Sequence, residues 1–341
     1  MNITESRQMI LFGGPGTGKS HCVAKSLLPS IGITPDTKRS WKTVFHPDYT
    51  YGDFMGRLLP LTREGRVEYK FSPGHFLLSL AGAYKAVINS QNGVYENCAL
   101  VIDEINRGNA TAIFGPVFQL LDRDPDGWSS YKVTLSELEY EQLLDLIGIV
   151  RFKSAASPGV FTYKFNGQHL EDVNTLLDKI RIENQQIALP PNFYLLSTMN
   201  TSETSVFYMD SAFKRRWEWQ FVHPSGDMLR DEEILYTDSN SYEWRLFIDK
   251  VNRFIVDNAR AIRSIDDKLI GYYFLNKAPV RYSDIQNKLM FFIWDSVFQR
   301  DKTPLEQLLS KSMDAASRIS TFGEFSKNVR LFVKAINDLV I

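Results

Sequence analysis

The 341-residue sequence has two cysteines, Cys22 and Cys98. Each falls where an element of the fold is expected to be buried, so no disulfide framework is expected and a reducing compartment is. No apolar run approaches the roughly 20 residues needed to span a bilayer, and the opening MNITESRQ is too polar for a signal peptide. A cytoplasmic location and no membrane partner follow as expectations. Neither sign of charge dominates, with 39 Lys and Arg against 40 Asp and Glu. That balance argues against a broad polyanion-binding surface and leaves room for a local basic pore. The five histidines are scattered and the cysteines far apart, so no zinc-ligand spacing is present. Neither a Ser-His-Asp arrangement nor a nuclease-type carboxylate cluster stands out, and the chain is not expected to cut DNA itself.

What is present reads as an ordinary soluble protein, 44% hydrophobic and 23% charged. Its length exceeds the usual single core, which predicts one large domain and a smaller one.

The most informative stretch is GGPGTGKS, Gly13, Gly14, Pro15, Gly16, Thr17, Gly18, Lys19 and Ser20. It satisfies G-x-x-x-x-G-K-[ST] between an apolar run, RQMILF, and a segment that continues as a helix, SHCVAKSLL. Glycines let successive backbone N–H groups face phosphate oxygens, and the helix N-terminus adds partial positive charge. Lys19 is expected on the β- and γ-phosphates and Ser20 on Mg²⁺. Little sequence precedes the loop, so no domain that selects a target is expected ahead of it.

A second apolar run, Ala99 to Ile102, ends on Asp103 and Glu104. Such a strand belongs inside a parallel sheet, whose strand ends carry the chemistry. Asp103 is expected to bind Mg²⁺ through water, and Glu104 to polarise the attacking water. A third run, FYLLSTMN, ends on Asn200, an amide suited to the nucleophilic water or the γ-phosphate. Then comes DSAFKRRWEWQF, with Trp217, Trp219 and Phe221 alternating along a strand. Of its adjacent cations Lys214, Arg215 and Arg216, either arginine is a candidate finger reaching a neighbouring subunit's γ-phosphate.

These blocks resemble the AAA+ superfamily and, within it, the McrB group, the nucleotide-driven subunits of modification-dependent restriction systems. The resemblance extends to FHPDYTYGDFMGRLLP, STMNTSETS, DSAFKRRW, LIGYYFL and IWDSVF, and so covers most of the chain. It implies an α/β fold, a parallel αβα sandwich with a C-terminal helical lid. It also implies a ring, hexameric in form, that hydrolyses GTP or ATP with Mg²⁺ and drives a separate McrC-like nuclease subunit. DNA would be engaged indirectly, through that partner. Two departures stand out. Where the group carries M-N-x-x-D-R-S, this chain has Glu203 for the aspartate and Thr204 for the arginine. Glu203 keeps a carboxylate of different reach, whereas Thr204 supplies no fixed guanidinium charge. Pro116 falls where a helix should follow the Asp-Glu strand, and is expected to bend it.

The expected organisation is a nucleotide-binding core over 1–225 and a helical lid over 226–341. Residues 62–77, with Val67, Tyr69 and Phe71 alternating, predict a small hairpin insertion. Residues 128–190 predict a folded insertion with helices at LEYEQLLDLI, capped by Thr134 and Glu137, and at LEDVNTLLDKI. In the lid, Trp244, Phe247, Ile248, Val251, Phe254 and Ile255 recur at helical spacing. Ser283 with Gln286, Thr303 with Glu306, and Thr321 with Glu324 predict further helix starts. Two other readings stay open: a MoxR-like ATPase that remodels a protein client, and a nucleotide-gated assembly module that hardly hydrolyses.

Overall fold

The apolar runs named above pair into one sheet. A computed structural model describes residues 6–63, 65–90, 93–153, 161–200, 207–224, 242–277, 279–310 and 319–340. Strands β1 (Gln8–Gly13), β2 (Ser40–Val44), β5 (Cys98–Asp103), β11 (Phe193–Asn200) and β12 (Glu218–Phe221) form it, in the order β12-β1-β11-β5-β2. β11 and β2 both run parallel to β5, with Ser197 opposite Ile102, Lys42 opposite Val101 and Val44 opposite Asp103. Every residue of β5 is buried, which is why that strand is apolar until its last residue. Helices cover the sheet. The longest of this part, His75–Ile88, buries Phe76, Leu77, Leu80 and Tyr84, and the Tyr84 hydroxyl donates to the Ala188 carbonyl at 2.6 Å. The α/β class expected from the sequence is what forms.

A chain of aromatic contacts runs through this core: Phe54 to Phe76 at 4.9 Å, Phe54 to Phe114 at 4.7 Å and Phe114 to Phe213 at 5.2 Å. Phe213 therefore anchors the short helix Ser211–Lys214 from its buried side. After β5 the helix Ala110–Phe114 stops at Gly115, whose φ is 49°, and the chain continues as a 3₁₀ segment, Gly115–Leu121. Pro116 lies at that change, lacking an N–H to carry the α-helix on. Beyond it the Arg123 guanidinium is buried and donates to the carbonyls of Gly127, Leu189, Pro190 and Phe193. Burial pushes its pKa down to about 9.

The hairpin is larger than the spacing of Val67, Tyr69 and Phe71 predicts. β3 (Gly56–Arg63) pairs antiparallel with β4 (Arg66–Pro73), so it opens six residues earlier than expected and ends where the His75 helix begins. Register places Leu58, Pro60 and Thr62 on one face with Phe71, Tyr69 and Val67. In the later insertion, β6 (Val133–Thr134) pairs with β10 (Gln186–Ile187), and β7 (Ile149–Lys153), β8 (Phe161–Phe165) and β9 (Gln168–Leu170) form a three-stranded sheet. The helix Glu137–Ile147 is capped by Ser136 with Glu139, not by Thr134 with Glu137; Thr134 is in a strand and Glu137 is the first helical residue. Both pairs satisfy the same spacing, and strand pairing with Gln186 removes the first.

The described residues fall into two compact units: the first within 1–11, 23–199 and 205–220, the second within 12–22, 200–204 and 221–341. The division does not follow chain order, since the phosphate loop groups with the C-terminal helices. The second unit has its own core. Helix Trp244–Asp257 buries the six apolar residues of the expected stripe, against Leu289, Ile293, Phe298, Phe325 and Phe332. Thr321 and Glu324 form the expected capping box. The other two starts shift: Asp284 accepts the Arg281 N–H at 3.3 Å at the start of Tyr282–Asp284, and Asp301 caps Thr303–Ser310 by accepting the Thr303 N–H at 2.9 Å.

Candidate functional site: a phosphate loop, a carboxylate strand end and two arginines

Within the second unit the loop is folded by contacts to its own backbone. Gly16 and Gly18 take φ values of 74° and 84°, a region that glycine enters without strain. The buried Lys19 ammonium donates to the carbonyls of Gly13 at 3.0 Å and Gly14 at 2.8 Å, and the Thr17 hydroxyl to Gly14 at 3.1 Å. Lys19 thus curls back over the loop it follows. The segment 269–274, inside LIGYYFL, lies directly against the loop: Gly271 N–H donates to the Pro15 carbonyl at 3.0 Å, and Tyr273 N–H to Gly16 at 2.9 Å. At Gly14 and Gly16 no room is left for a side chain. A Cβ on Gly14 would stand 2.0 Å from the Leu269 carbonyl oxygen, and one on Gly16 2.4 Å from the Phe274 nitrogen. The glycines are set by this close packing as well as by the loop's turn. Ser20 follows on the helix Lys19–Cys22, its hydroxyl an oxygen donor of the hard type that Mg²⁺ prefers. The buried Cys22 thiol is pushed up to about 11 by desolvation, so it is no nucleophile at neutral pH.

Within the first unit, Asp103 ends β5 and is held from both neighbouring strands. The Thr198 hydroxyl on β11 donates to Oδ1 at 3.0 Å, and the Lys42 ammonium on β2 lies 2.6 Å from Oδ2. Glu104 comes next in the left-handed region, φ 56° and ψ 48°, which a glutamate occupies at a cost of about 1 to 3 kcal/mol. Its N–H donates to the same Thr198 hydroxyl at 3.3 Å. Thr198 therefore ties both acids to one strand, and the left-handed turn at Glu104 ends the line of β5 after Asp103. Arg107 Nε lies 3.9 Å from Glu104 Oε2, too far for a hydrogen bond but within ion-pair reach. The Phe207 N–H donates to the Asn106 carbonyl at 2.8 Å, fastening the chain after the third motif to this turn. Asn200 is the last residue of β11. Glu203 and Thr204 lie outside the described residues.

The two arginines are not equivalent. Asp210 caps the helix Ser211–Lys214 that precedes them, accepting from the Phe213 N–H at 2.7 Å. Arg216 has a side chain only 8% exposed; it donates from two nitrogens to Asp122 at 3.0 and 2.7 Å, and its guanidinium lies over the Phe118 ring. It is turned into its own subunit. Arg215, one residue earlier, is exposed; its N–H donates to the Ser211 carbonyl at 3.0 Å, and its side chain makes no hydrogen bond or ion pair among the described residues. The adjacent cations read alike in sequence because what separates them is Asp122, which is distant along the chain.

Sequence reasoning passed over Lys42 and Thr198, whose spacing to Asp103 has no local signature. His46 meets the Tyr49 ring edge-on, and the Tyr49 hydroxyl lies 3.0 Å from His75 Nδ1. These residues line a cleft of about 530 Å³ at the base of the β3–β4 hairpin, with Asp53 and Arg57 paired at 2.9 Å in its wall. No group of three or more His, Cys, Asp or Glu side chains placed to hold a metal ion occurs among the described residues. Nor is any helix among them long and apolar enough to cross a membrane.

Residues 8–136 match the AAA domain of the dynein-related subfamily. Over 93% of its length the chain is 28% identical to YdiS, a component of the type II restriction enzyme BsuMI of Bacillus subtilis, covering 88% of that protein. It is 24% identical over 66% of its length to the EcoKMcrB subunit of a type IV methyl-directed restriction enzyme of Escherichia coli, of which it spans 37%. A solved structure from Cytophaga hutchinsonii aligns over 98% of this chain and 76% of its own at 14% identity, with a TM-score of 0.30.

Proposed function

We propose, from the premise that this chain is an AAA+ NTPase related to the McrB group of restriction-system components, that it forms a ring, hexameric in number, hydrolysing GTP or ATP at the seam between adjacent copies. Turnover drives a separate nuclease subunit against foreign DNA. The observation that carries the proposal is the asymmetry of the arginines: Arg216 is ion-paired with Asp122 inside its subunit, and Arg215 is presented to solvent beside it.

In this reading the loop residues Gly13 to Ser20 hold the triphosphate, with backbone N–H groups on its oxygens and Lys19 exchanging the Gly13 and Gly14 carbonyls for phosphate. A Mg²⁺ held by Ser20 and Asp103 would neutralise charge on the phosphates. Glu104 accepts a proton from the attacking water, and its left-handed backbone is the strain that aims it. Asn200 fixes the water or the γ-phosphate, and Glu203 is a further candidate for orienting it. Arg215 of one copy reaches the γ-phosphate bound by the next. The helical unit carries the segment that contacts the loop, so it is the part expected to respond to the state of the phosphates.

The deciding experiment mixes two defective chains. Arg215→Ala and Glu104→Gln each lose turnover alone, and mixed rings recover part of it, because an intact finger then faces an intact base at some seams. Absence of recovery, with rings shown to mix, removes the trans finger. Titrating both nucleotides against the purified chain decides between GTP and ATP. Co-purification with a nuclease, rather than with a metalloenzyme client, separates restriction from remodelling.

A further inference from the structure

Lys42 stands on β2 at the edge of the sheet, opposite Val101 in register, and its ammonium is 2.6 Å from Asp103 Oδ2. The other carboxylate oxygen takes the Thr198 hydroxyl. The pair is lopsided in exposure: the lysine side chain is 61% exposed and the aspartate 13%. A largely buried carboxylate is thus neutralised by a cation whose stem is free to swing into water.

We propose that Lys42 is a resident counter-cation of Asp103 that competes with the divalent ion for the carboxylate, and so sets how strongly nucleotide binding depends on metal. The proposal rests on the nucleotide reading above. Without metal, the ammonium offsets the charge of Asp103, which otherwise adjoins that of Glu104 in a poorly solvated turn. When a doubly charged ion approaches, the same ammonium repels it and occupies an oxygen the ion or its water must reach. Lys42 is a compact, flexible point charge and can be displaced, so it tunes the site without closing it. Its function is to keep the carboxylate supplied with a cation in both states and to weaken the link between metal and nucleotide. Lys42 is a positioning residue in this account, since it acts through Asp103.

The test uses the full chain and fluorescent β,γ-imido analogues of GTP and ATP, which bind without turnover. Dissociation constants are measured in EDTA and in saturating Mg²⁺, and their ratio is the metal–nucleotide coupling. Lys42→Met and Lys42→Gln, which remove the charge, are expected to raise that ratio about two- to fivefold, the range of an exposed ion pair. Lys42→Arg is expected to leave it close to the parent value. A ratio that stays constant or falls in the neutral variants overturns the proposal, and thermal unfolding of each variant without nucleotide shows whether the pair instead supports the fold. A parent chain that binds neither analogue removes the proposed function itself, whereas a parent that binds, with neutral variants whose ratio matches it, removes only this role for Lys42.

Discussion

A methyl group added at Gly14 would come within 2.0 Å of the Leu269 carbonyl oxygen, whereas the Asp103 carboxylate is surrounded by groups that differ in charge and reach. The phosphate loop is specified by exclusion: the backbone of 269–274 presses on it, and at Gly14 and Gly16 only glycine fits. The strand end of β5 is specified by attraction, through Thr198, Lys42 and Arg107 around two acids. A region built by exclusion should fail sterically, losing binding and local stability together. A region built by attraction should fail chemically, losing turnover while binding persists.

The largest expected effect tests the second half of that contrast. Glu104→Gln keeps shape and removes the proposed base, so turnover should fall about 10²- to 10⁴-fold. Nucleotide affinity should change less than threefold. Phosphate release at the parent rate would mean that the base is elsewhere. In the loop, Gly16→Ala must put a Cβ 2.4 Å from the Phe274 nitrogen at a φ of 74°. Overpacking of that kind costs about 1 to 3 kcal/mol, so affinity should drop roughly 10- to 100-fold, with KM rising before kcat changes. If instead kcat alone fell, the two regions would not differ in the way argued.

Much of this contrast was legible in the sequence, and the reason is that it depended on local patterns. The strand runs, the loop and the six-residue stripe of Trp244–Asp257 are set by neighbours within a few positions, and they form where expected. What was not legible depended on pairing at long range. The choice of Ser136 over Thr134 as the cap is made by a strand partner at Gln186, and the start of the hairpin by the pairing of Gly56 with Pro73. The inequality of Arg215 and Arg216 is made by Asp122. Lys42 reads as one more exposed lysine on an edge strand until Asp103 is beside it.

The arginines give an intermediate effect that extends the comparison beyond the two regions. Arg216→Ala leaves Asp122 without its donors and should lower stability by about 1 to 3 kcal/mol, the range of hydrogen bonds to charged groups. Arg215→Ala removes an exposed side chain and should shift stability by less than about 0.5 kcal/mol. Urea unfolding of the two variants separates them, and equal losses would contradict the assignment of Arg216 to the interior.

The smallest effect uses the two cysteines as reporters, one in each unit. Cys22 follows the loop and Cys98 begins β5; both are buried and free, and burial pushes their thiols up to about 11 and about 12. At pH 8 both are therefore protonated and shielded, so reaction with a thiol reagent requires local opening. Nucleotide that binds only the closed loop slows opening there by the factor 1 + [L]/Kd, about tenfold at ten times Kd. Cys22 should be protected by that factor and Cys98 by less, because a region shaped by close packing gains from a ligand that fills it. A strand end held by its own side-chain partners opens with the sheet. Equal protection of both thiols would show that the loop and β5 open as one cooperative piece, and the contrast between them would then be one of chemistry alone.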